Sequence, residues 1–153
     1  MNKENIKNTI EEIFKHTGCT INSCEFTDEG DVLWCSISTP DSRFLIGREG
    51  EALRSLNHLV RKMLEKNLSE QESQNLMIDI NGYQKQRLDT LKATAHMLAE
   101  RAKYFKSNIE VDPMPAYERR VIHTFLENVE DIITESTGVG PNRRIIIKYK
   151  GEI

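Results

Sequence analysis

Two glycines three residues apart bracket one basic and one acidic residue in the segment Ile46-Gly47-Arg48-Glu49-Gly50. Glycine adopts positive φ values without strain and lets another backbone approach closely. A helical pattern begins after Gly50, and the free N–H groups at a helix N-terminus favour an anion. The segment therefore predicts a loop that holds a phosphodiester backbone, with Arg48 at its tip. The negative charge of Glu49 is tolerable there if it points away from the phosphate. The alternative, left open by the spacing alone, is a flexible turn between two helices.

The charge pattern supports the same region. The chain has a formal net charge of −3, and residues 1–42 carry three basic against eight acidic side chains. Residues 43–66 reverse this balance, with six basic and three acidic side chains, and include Arg54 and Arg61 on similar faces of the helix. We therefore expect Arg54 to contact phosphate and Arg61 to add positive potential. The competing interpretation is that these residues only form solvated helix faces.

Arg119 and His123 form a second candidate site. Residues four positions apart lie on one face of a helix, so the guanidinium and the imidazole are predicted to project together toward solvent. Arginine donates bidentate hydrogen bonds to phosphate oxygens, and histidine adds a donor with partial charge or stacks on a base. The alternative pairs Arg119 with Glu118 or Glu127 and packs His123 in the interior. Arg120 belongs either to this surface or to the solvated side of the helix.

Other chemistry finds little support in the residues. His16, His58 and His96 have no histidine or cysteine partner at metal-ligand spacing. The three cysteines form no C-x-x-C pair, and reduced thiols are expected. No nucleophile elbow or phosphate-binding P-loop occurs, so neither a reaction nor a metal or other cofactor is predicted. The longest apolar run has four residues, against roughly 20 for a membrane span, and a cytoplasmic location without a membrane span is expected.

The apolar periodicity divides the first eighty residues into the order α-β-β-α-α-β. A helix over 4–16 precedes strands over 19–27 and 31–38, which are joined by the turn residues 28–31. A short helical turn, 43–46, and a longer helix ending near 66 flank the glycine loop. A polar loop then leads to a half-buried strand, 76–80. The predicted buried stripe of the longer helix consists of Leu53, Leu56, Leu59, Val60, Met63 and Leu64.

The second half of the chain predicts the order α-β-α-β-β. A long helix, 83–105, is followed by a short strand, 108–111, and a helix over 116–129. Two strands, 131–135 and 144–149, follow. The predicted buried positions of the two helices are Leu88, Leu91, Ala95, Leu98, Ala102, Phe105, Val121, Ile122, Phe125 and Val129. The turn at Asn81-Gly82 is the predicted boundary, which gives domains over 1–81 and 82–153.

These motifs, in this order, resemble a known family. Residues 1–81 resemble a type II KH domain with its G-x-x-G loop written GREG. The stretch PMPAYERRVIH contains the R-x-x-x-H arrangement that names the R-3-H domain, and the ending GVGPNRRIIIKY is typical of the bacterial Jag (SpoIIIJ-associated) proteins. The resemblance implies an α+β protein with a type II KH domain followed by an R-3-H domain. It also implies a cytosolic RNA-binding role connected to cell elongation, envelope growth or division.

The function predicted from residues and resemblance together is binding of single-stranded RNA. Ile46, the loop Gly47–Gly50 and Arg54 are expected to grip about four nucleotides, and Arg119, His123 and Arg120 a further phosphate. The resemblance adds a small separate KH-domain protein as a partner, and a homodimer is a further prediction. The alternative function is a protein-interaction adaptor that dimerises or docks a partner through the first half. Binding of single-stranded DNA is a third, more remote hypothesis.

Overall fold

The computed structural model describes residues 1–151 of the chain, and its fold mixes helices and strands as predicted. The chain divides into two compact units, Met1–Lys85 and Gln86–Ile153. This division falls within the first turn of the long helix, just after the predicted boundary at residue 81. Each unit has its own three-stranded sheet and its own apolar core.

The sheet of the first unit contains β1 (Ser23–Glu29), β2 (Val32–Ser38) and β3 (Leu76–Ile80), in that order. β1 and β2 run antiparallel and are joined by a tight turn, as the sequence predicts. β2 and β3 run parallel, which requires a long connection between them. All helices between residues 42 and 74 lie in that connection, and so does the glycine loop.

The helices of the first unit are α1 (Lys3–Thr17), α2 (Ser42–Ile46), α3 (Glu51–Leu64) and α4 (Glu70–Gln74). A single 3-10 turn, Arg48–Gly50, separates α2 from α3. α4 occupies the segment that the sequence analysis assigned to a polar loop. Its start is fixed by Ser69 and Glu72, whose side chains each accept a hydrogen bond from the other residue's backbone N–H.

The buried face of α3 differs from the prediction. Leu53, Val60 and Leu64 are buried, but Leu59 and Met63 are each 46% exposed. Asn57 is buried in their place. The prediction was wrong at these positions because it counted apolar side chains around too wide an arc of the helix, whereas the sheet covers a narrower one.

Asn57 is buried because it satisfies the free edge of β3. Its Nδ2 donates to the carbonyl oxygens of Leu53 (3.0 Å) and Ile78 (3.1 Å), and its Oδ1 accepts the N–H of Ile78 (2.8 Å). On the same edge, Nε and Nη2 of Arg61 donate to the carbonyl oxygen of Leu76 at 3.2 and 2.7 Å. Side chains of α3 thus take the place of a fourth strand.

β3 is buried along its whole length, so the prediction of a half-buried strand was wrong. Its charged residue, Asp79, is tolerated in the interior because its carboxylate accepts the N–H groups of Gln84 (2.8 Å) and Lys85 (3.3 Å). These amides lie in the first turn of the following helix. The ammonium group of Lys85 lies 5.0 Å from the ring centroid of Trp34.

The second unit contains most of α5 (Tyr83–Phe105), together with β4 (Ile109–Glu110), α6 (Ala116–Leu126), β5 (Ile132–Thr137) and β6 (Arg144–Tyr149). Its sheet has the order β4-β6-β5, and both strand pairs are antiparallel. The segment between β5 and β6 includes a 3-10 turn, Gly140–Asn142.

The core of the second unit confirms the predicted burial of Leu88, Ala95, Ala102 and Ile122, and it differs from the prediction at a few positions. Ala95, Ala99 and Ala102 of α5 are buried, and so are Ile122 and Leu126 of α6. Phe105 and Phe125, which the sequence analysis placed in the core, are exposed. α6 ends at Leu126, so Val129 lies beyond the helix.

Among residues 1–151, no helix combines the length and the apolar character that crossing a membrane requires. The same residues contain no group of three or more histidine, cysteine or acidic side chains placed to hold a metal ion.

Replacement of Asn57 by alanine tests the role of the buried amide. We expect Asn57→Ala to lower the free energy of unfolding by about 2–4 kcal/mol, because the N–H and C=O groups of Ile78 lose their partner in the interior. The measurement is urea unfolding followed by circular dichroism. His58→Ala, at the exposed neighbouring position, is the control and should change stability little. A decrease below about 1 kcal/mol in Asn57→Ala would contradict this role.

Candidate nucleic-acid interface

The loop between α2 and α3 folds back tightly onto the start of α3. Gly47 has φ 72° and ψ −170°, and Gly50 has φ 76° and ψ 15°. A Cβ atom at Gly47 would lie 2.8 Å from Cβ of Ala52 and 2.9 Å from its backbone nitrogen. One at Gly50 would lie 2.9 Å from Cε1 of Tyr83. Positive φ and close approach together explain why glycine occupies both positions.

The N-terminus of α3 directly follows this loop and has no side-chain cap. The first amide groups of a helix have no acceptor within the helix, and they carry the positive end of its dipole. A cap from serine, threonine or aspartate would normally satisfy one of them. The amide of Glu51 donates to the carbonyl oxygen of Arg48 within the loop. With Gly50 at the cap position, no side chain takes up the amides that follow, and an anion can bind there.

The charged residues of the loop have distinct roles. The side chains of Arg48 and Glu49 are exposed. Arg54 donates from Nη1 to the carbonyl oxygen of Glu49 at 2.9 Å, so its guanidinium holds the loop backbone. Glu49 itself has φ 51°, an uncommon value for a residue with a side chain. Arg48 is thus the cation of the loop that remains open to a ligand. Arg54 holds the loop backbone in position.

Apolar side chains lie exposed close to the loop in sequence. Ile46, directly before Gly47, is half-buried, and Phe44 on α2 is exposed. Leu59 and Met63 are four residues apart on α3 and exposed. The sequence analysis named Ile46 but missed Phe44. An aromatic residue in a five-residue helix next to the loop was the signal that could have found it, since so short a helix buries few side chains.

Arg61 adds positive potential as expected, and it also has a structural role that the sequence did not indicate. Its guanidinium donates two hydrogen bonds to the carbonyl oxygen of Leu76, as described above. This geometry ties it to the edge of β3. Its charge still contributes to the local potential, but two of its donors are engaged.

The second candidate site lies on α6. Arg119 is half-buried, and its Nη1 donates to the carbonyl oxygen of Met114 at 2.6 Å. His123 is also half-buried, and its Nδ1 lies 2.6 Å from Oγ1 of Thr134 on β5. The expected projection of both side chains into solvent is therefore only partly right. Each is fixed by one hydrogen bond, with the rest of the group open.

The carboxylates considered as partners of Arg119 do not take that role. Glu118 is buried, and its Oε1 accepts from Nε of Arg87 at 2.6 Å. Glu127 contributes instead to the wall of a shallow cleft of about 480 Å³ next to His123. Thr134 and Lys150 line the same cleft. Lys150 is exposed, and neither it nor Thr134 was among the predicted site residues.

Burial lowers the pKa of His123 below its ordinary value, and the positive charge of Arg119 lowers it further. The imidazole is therefore neutral near pH 7. The shift reduces the partial charge that His123 was expected to add, so most of the positive charge at the site belongs to the neighbouring basic residues. Neutral His123 still offers one ring nitrogen beyond the contact with Thr134.

The basic cluster near the end of the chain is largely engaged within the protein. Arg143 donates to the carbonyl oxygen of Gly138 (3.0 Å), Arg144 pairs with Glu110 (3.0 Å), and Lys148 pairs with Glu135. Arg120 is exposed on α6 and donates no side-chain hydrogen bond within residues 1–151. Besides Arg119, two cations of this unit lie near His123. Arg120 is close to it in sequence, and Lys150 lines the same cleft.

One comparison with known proteins concerns the second unit, and another concerns nearly the whole chain. The R-3-H domain family matches residues 89–149. The matched residues, 89–149, make up most of the second unit. Arg119 and His123, the R-x-x-x-H pair of the sequence, lie within the matched residues and on α6.

The chain is also related to proteins named RNA-binding protein KhpB. It is 31% identical over 144 residues to the protein of Clostridium symbiosum, covering 94% of this chain and 64% of that one. It is 33% identical over 116 residues to the protein of Bacillus subtilis, covering 74% and 55%. The relative from Lactiplantibacillus plantarum is 29% identical over 115 residues, covering 75% and 35%. The chain thus spans between one third and two thirds of these relatives.

Substitution of Gly47 tests the tight approach of the loop. We expect Gly47→Ala to cost about 1–3 kcal/mol more stability than Gly18→Ala. Both residues have φ near 70°, but a Cβ atom at Gly18 meets nothing within 4 Å, whereas one at Gly47 meets the backbone of Ala52. Urea unfolding of the two variants measures the difference. Equal costs would show that the contact with Ala52 is not needed.

The lowered pKa of His123 predicts a pH dependence of stability. The unfolded chain takes up this proton near pH 6.5, whereas the folded chain resists it, so proton binding favours the unfolded state. We therefore expect the contribution of His123 to stability to decrease as the pH falls through 6.5. An NMR titration of the imidazole should show a lowered pKa in the wild type and a partial return in Arg119→Gln. An unshifted imidazole in the wild type would contradict the burial.

Proposed function

We propose that this chain binds single-stranded RNA through two sites, one in each unit. The observation that carries the proposal is the loop Gly47–Gly50. It joins an uncapped helix N-terminus, an exposed Arg48 and glycines that permit close backbone approach. The relatives named RNA-binding protein KhpB and the R-3-H domain support the same ligand class.

We assign the first domain, residues 1–81, to the type II KH class, followed by the R-3-H domain over 82–153. The assignment is supported by the strand order β1-β2-β3 with its parallel β2/β3 pair, and by the G-x-x-G loop between α2 and α3. α4 is an additional short helix before β3. In this assignment, the loop at the junction of α2 and α3 is the segment that clamps the RNA backbone.

At the first site, backbone amides and side chains contact different parts of the RNA. The amides at the start of α3 and the guanidinium of Arg48 hold phosphate oxygens. Arg54 keeps the loop in shape through the carbonyl oxygen of Glu49. Ile46 and the exposed ring of Phe44 offer apolar surface to the bases of about four nucleotides. Glu49 is exposed and turns its charge to solvent, which limits the affinity of the loop.

At the second site, Arg119, Arg120 and Lys150 supply positive charge for a further phosphate. Neutral His123, held by Thr134, contributes a ring for stacking or a single hydrogen bond. Because the two sites are in one chain, binding at one raises the effective concentration of RNA at the other. Useful affinity therefore depends on both, and no chemical reaction is part of this function.

We place this activity in the cytoplasm, in keeping with the resemblance to the Jag proteins. On the same ground we propose a regulatory or RNA-chaperone role linked to cell elongation, envelope growth or division. The separate KH-domain partner and the homodimer remain part of this proposal.

Exposed apolar side chains favour one further candidate function. Leu59 and Met63 on α3, together with the acidic first 42 residues, suit a protein-interaction adaptor that dimerises or docks a partner through the first unit. A salt series separates the two functions. Contacts to phosphate require the affinity to fall as salt rises, whereas an apolar protein interface responds little.

A charge change in the loop tests the RNA site. We expect the double variant Arg48→Asp/Glu49→Asp to bind a pool of cellular RNA at least about tenfold more weakly, because aspartates repel phosphate at the helix N-terminus. The slope of log affinity against log salt should decrease in size by about 0.7 for each phosphate that the variant no longer binds. Fluorescence anisotropy measures both quantities.

The matched control is Lys15→Asp, which produces the same change in net charge on the exposed end of α1. It should bind RNA nearly as the wild type does. Unchanged affinity in the loop variant, with unchanged stability in urea, would remove the loop from the RNA site. Matched oligomers of RNA and DNA in the same assay show whether the 2′-hydroxyl is recognised.

A further inference from the structure

Two neighbouring aromatic residues at the end of α5 lie in solvent. Tyr104 is 82% exposed and Phe105 is 64% exposed. Their ring centroids are 4.9 Å apart and their planes meet at 86°, an edge-to-face contact. The two rings thus support each other while offering their outer faces to the surroundings.

The fold of the second unit does not need these rings. Its core takes Ala95, Ala99 and Ala102 from α5, and Tyr104 and Phe105 are absent from that core. Basic residues at a helix C-terminus are favoured by the helix dipole, which accounts for Lys103 and Lys106. The dipole gives no reason for two exposed aromatic rings, and such surface marks a binding site more often than a solvated helix end.

The exposed face around the rings carries positive charge. Met97, Arg101 and Phe105 follow one another at four-residue intervals, so they share one face of α5 with Tyr104. The segment 101–106 contains three basic and no acidic side chains. Lys103 pairs with Glu100 at 3.3 Å. Arg101 and Lys106 are exposed and form no salt bridge within residues 1–151.

We propose that Tyr104 and Phe105 form a stacking platform for unpaired bases of RNA, with Arg101 holding an adjacent phosphate. This inference rests on the proposed RNA-binding function and adds a third contact region to it. Aromatic rings stack on any base, so the platform adds affinity without sequence preference. The net positive charge around the rings, with three basic side chains against Glu100, favours a polyanion over an apolar protein surface. The carbonyl groups at the end of α5 repel phosphate, so the phosphate contact depends on the side chain of Arg101.

Fluorescence gives a direct test. Trp34 is the single tryptophan of the chain and is 4% exposed, so Tyr104→Trp introduces the one tryptophan that a base can reach. We expect oligouridine to quench this fluorescence. An oligomer of the same length that lacks bases has the same phosphates and should not. Quenching by neither oligomer, under conditions where oligouridine binds, would overturn the platform.

Affinity measurements test the energetic role. Tyr104→Ala/Phe105→Ala should bind oligouridine roughly tenfold more weakly with an unchanged salt slope, because stacking involves no counterion release. Tyr104→Phe keeps a ring and should bind nearly as the wild type does. Arg101→Gln should instead reduce the size of the salt slope by about 0.7. Thermal unfolding checks each variant, and the quenching of Tyr104→Trp decides the matter if the alanine variant does not fold.

The outcomes separate this proposal from the function on which it rests. If the wild type binds no RNA at low salt, the RNA-binding function itself is wrong. If the wild type binds and Arg48→Asp/Glu49→Asp weakens it, while the alanine variant binds fully, the platform alone is wrong. If the wild type binds poly-glutamate through Tyr104 and Phe105 and RNA does not compete, the surface recognises an acidic protein segment and the platform is again wrong.

Discussion

One buried amide side chain determines how the candidate loop is presented. Asn57 joins α3 to the outer edge of β3 by bonding both the N–H and the C=O of Ile78. Arg61 repeats this contact one turn along the helix, at Leu76. α3 is therefore held along β3, the strand that pairs in parallel with β2. The start of α3, with the glycine loop before it, is placed by these contacts, so the geometry of the proposed clamp depends on polar groups in the interior.

Hydrophobic periodicity predicted the elements better than it predicted their buried faces. On α3, the predicted positions Leu53, Leu56 and Val60 are buried. The same reasoning failed at Leu59 and Phe105, because a count of apolar residues does not show how wide an arc the neighbouring sheet covers. The complete burial of β3 was beyond sequence reasoning, since it depends on a partner for Asp79 in another element. α4 was within reach, because Ser69 and Glu72 have the spacing of a capping box.

Sequence reasoning also located the candidate sites better than it predicted their contacts. Spacing located the glycine loop and the pair Arg119 and His123, because these signals are local. It could not show that Arg119 bonds to the carbonyl oxygen of Met114, or that Thr134, on another strand, meets His123. Burial and the charge of Arg119 lower the pKa of His123, and the burial depends on the folded structure, so spacing alone does not show what the imidazole contributes. The exposed rings of Tyr104 and Phe105 gave no signal, since aromatic residues in a helix usually indicate a core.

In the glycine loop, the residues that determine the backbone conformation differ from the residues that are exposed to a ligand. Its conformation is determined by Gly47 and Gly50, where a methyl group has no space, and by a carbonyl contact that uses no side chain of the loop. The two residues between the glycines are exposed. The side chain at position 48 can therefore change at little cost to folding, whereas position 49, with φ 51°, accepts only residues that tolerate a left-handed backbone. A related protein can therefore change its ligand preference through the exposed position 48 while its fold stays the same.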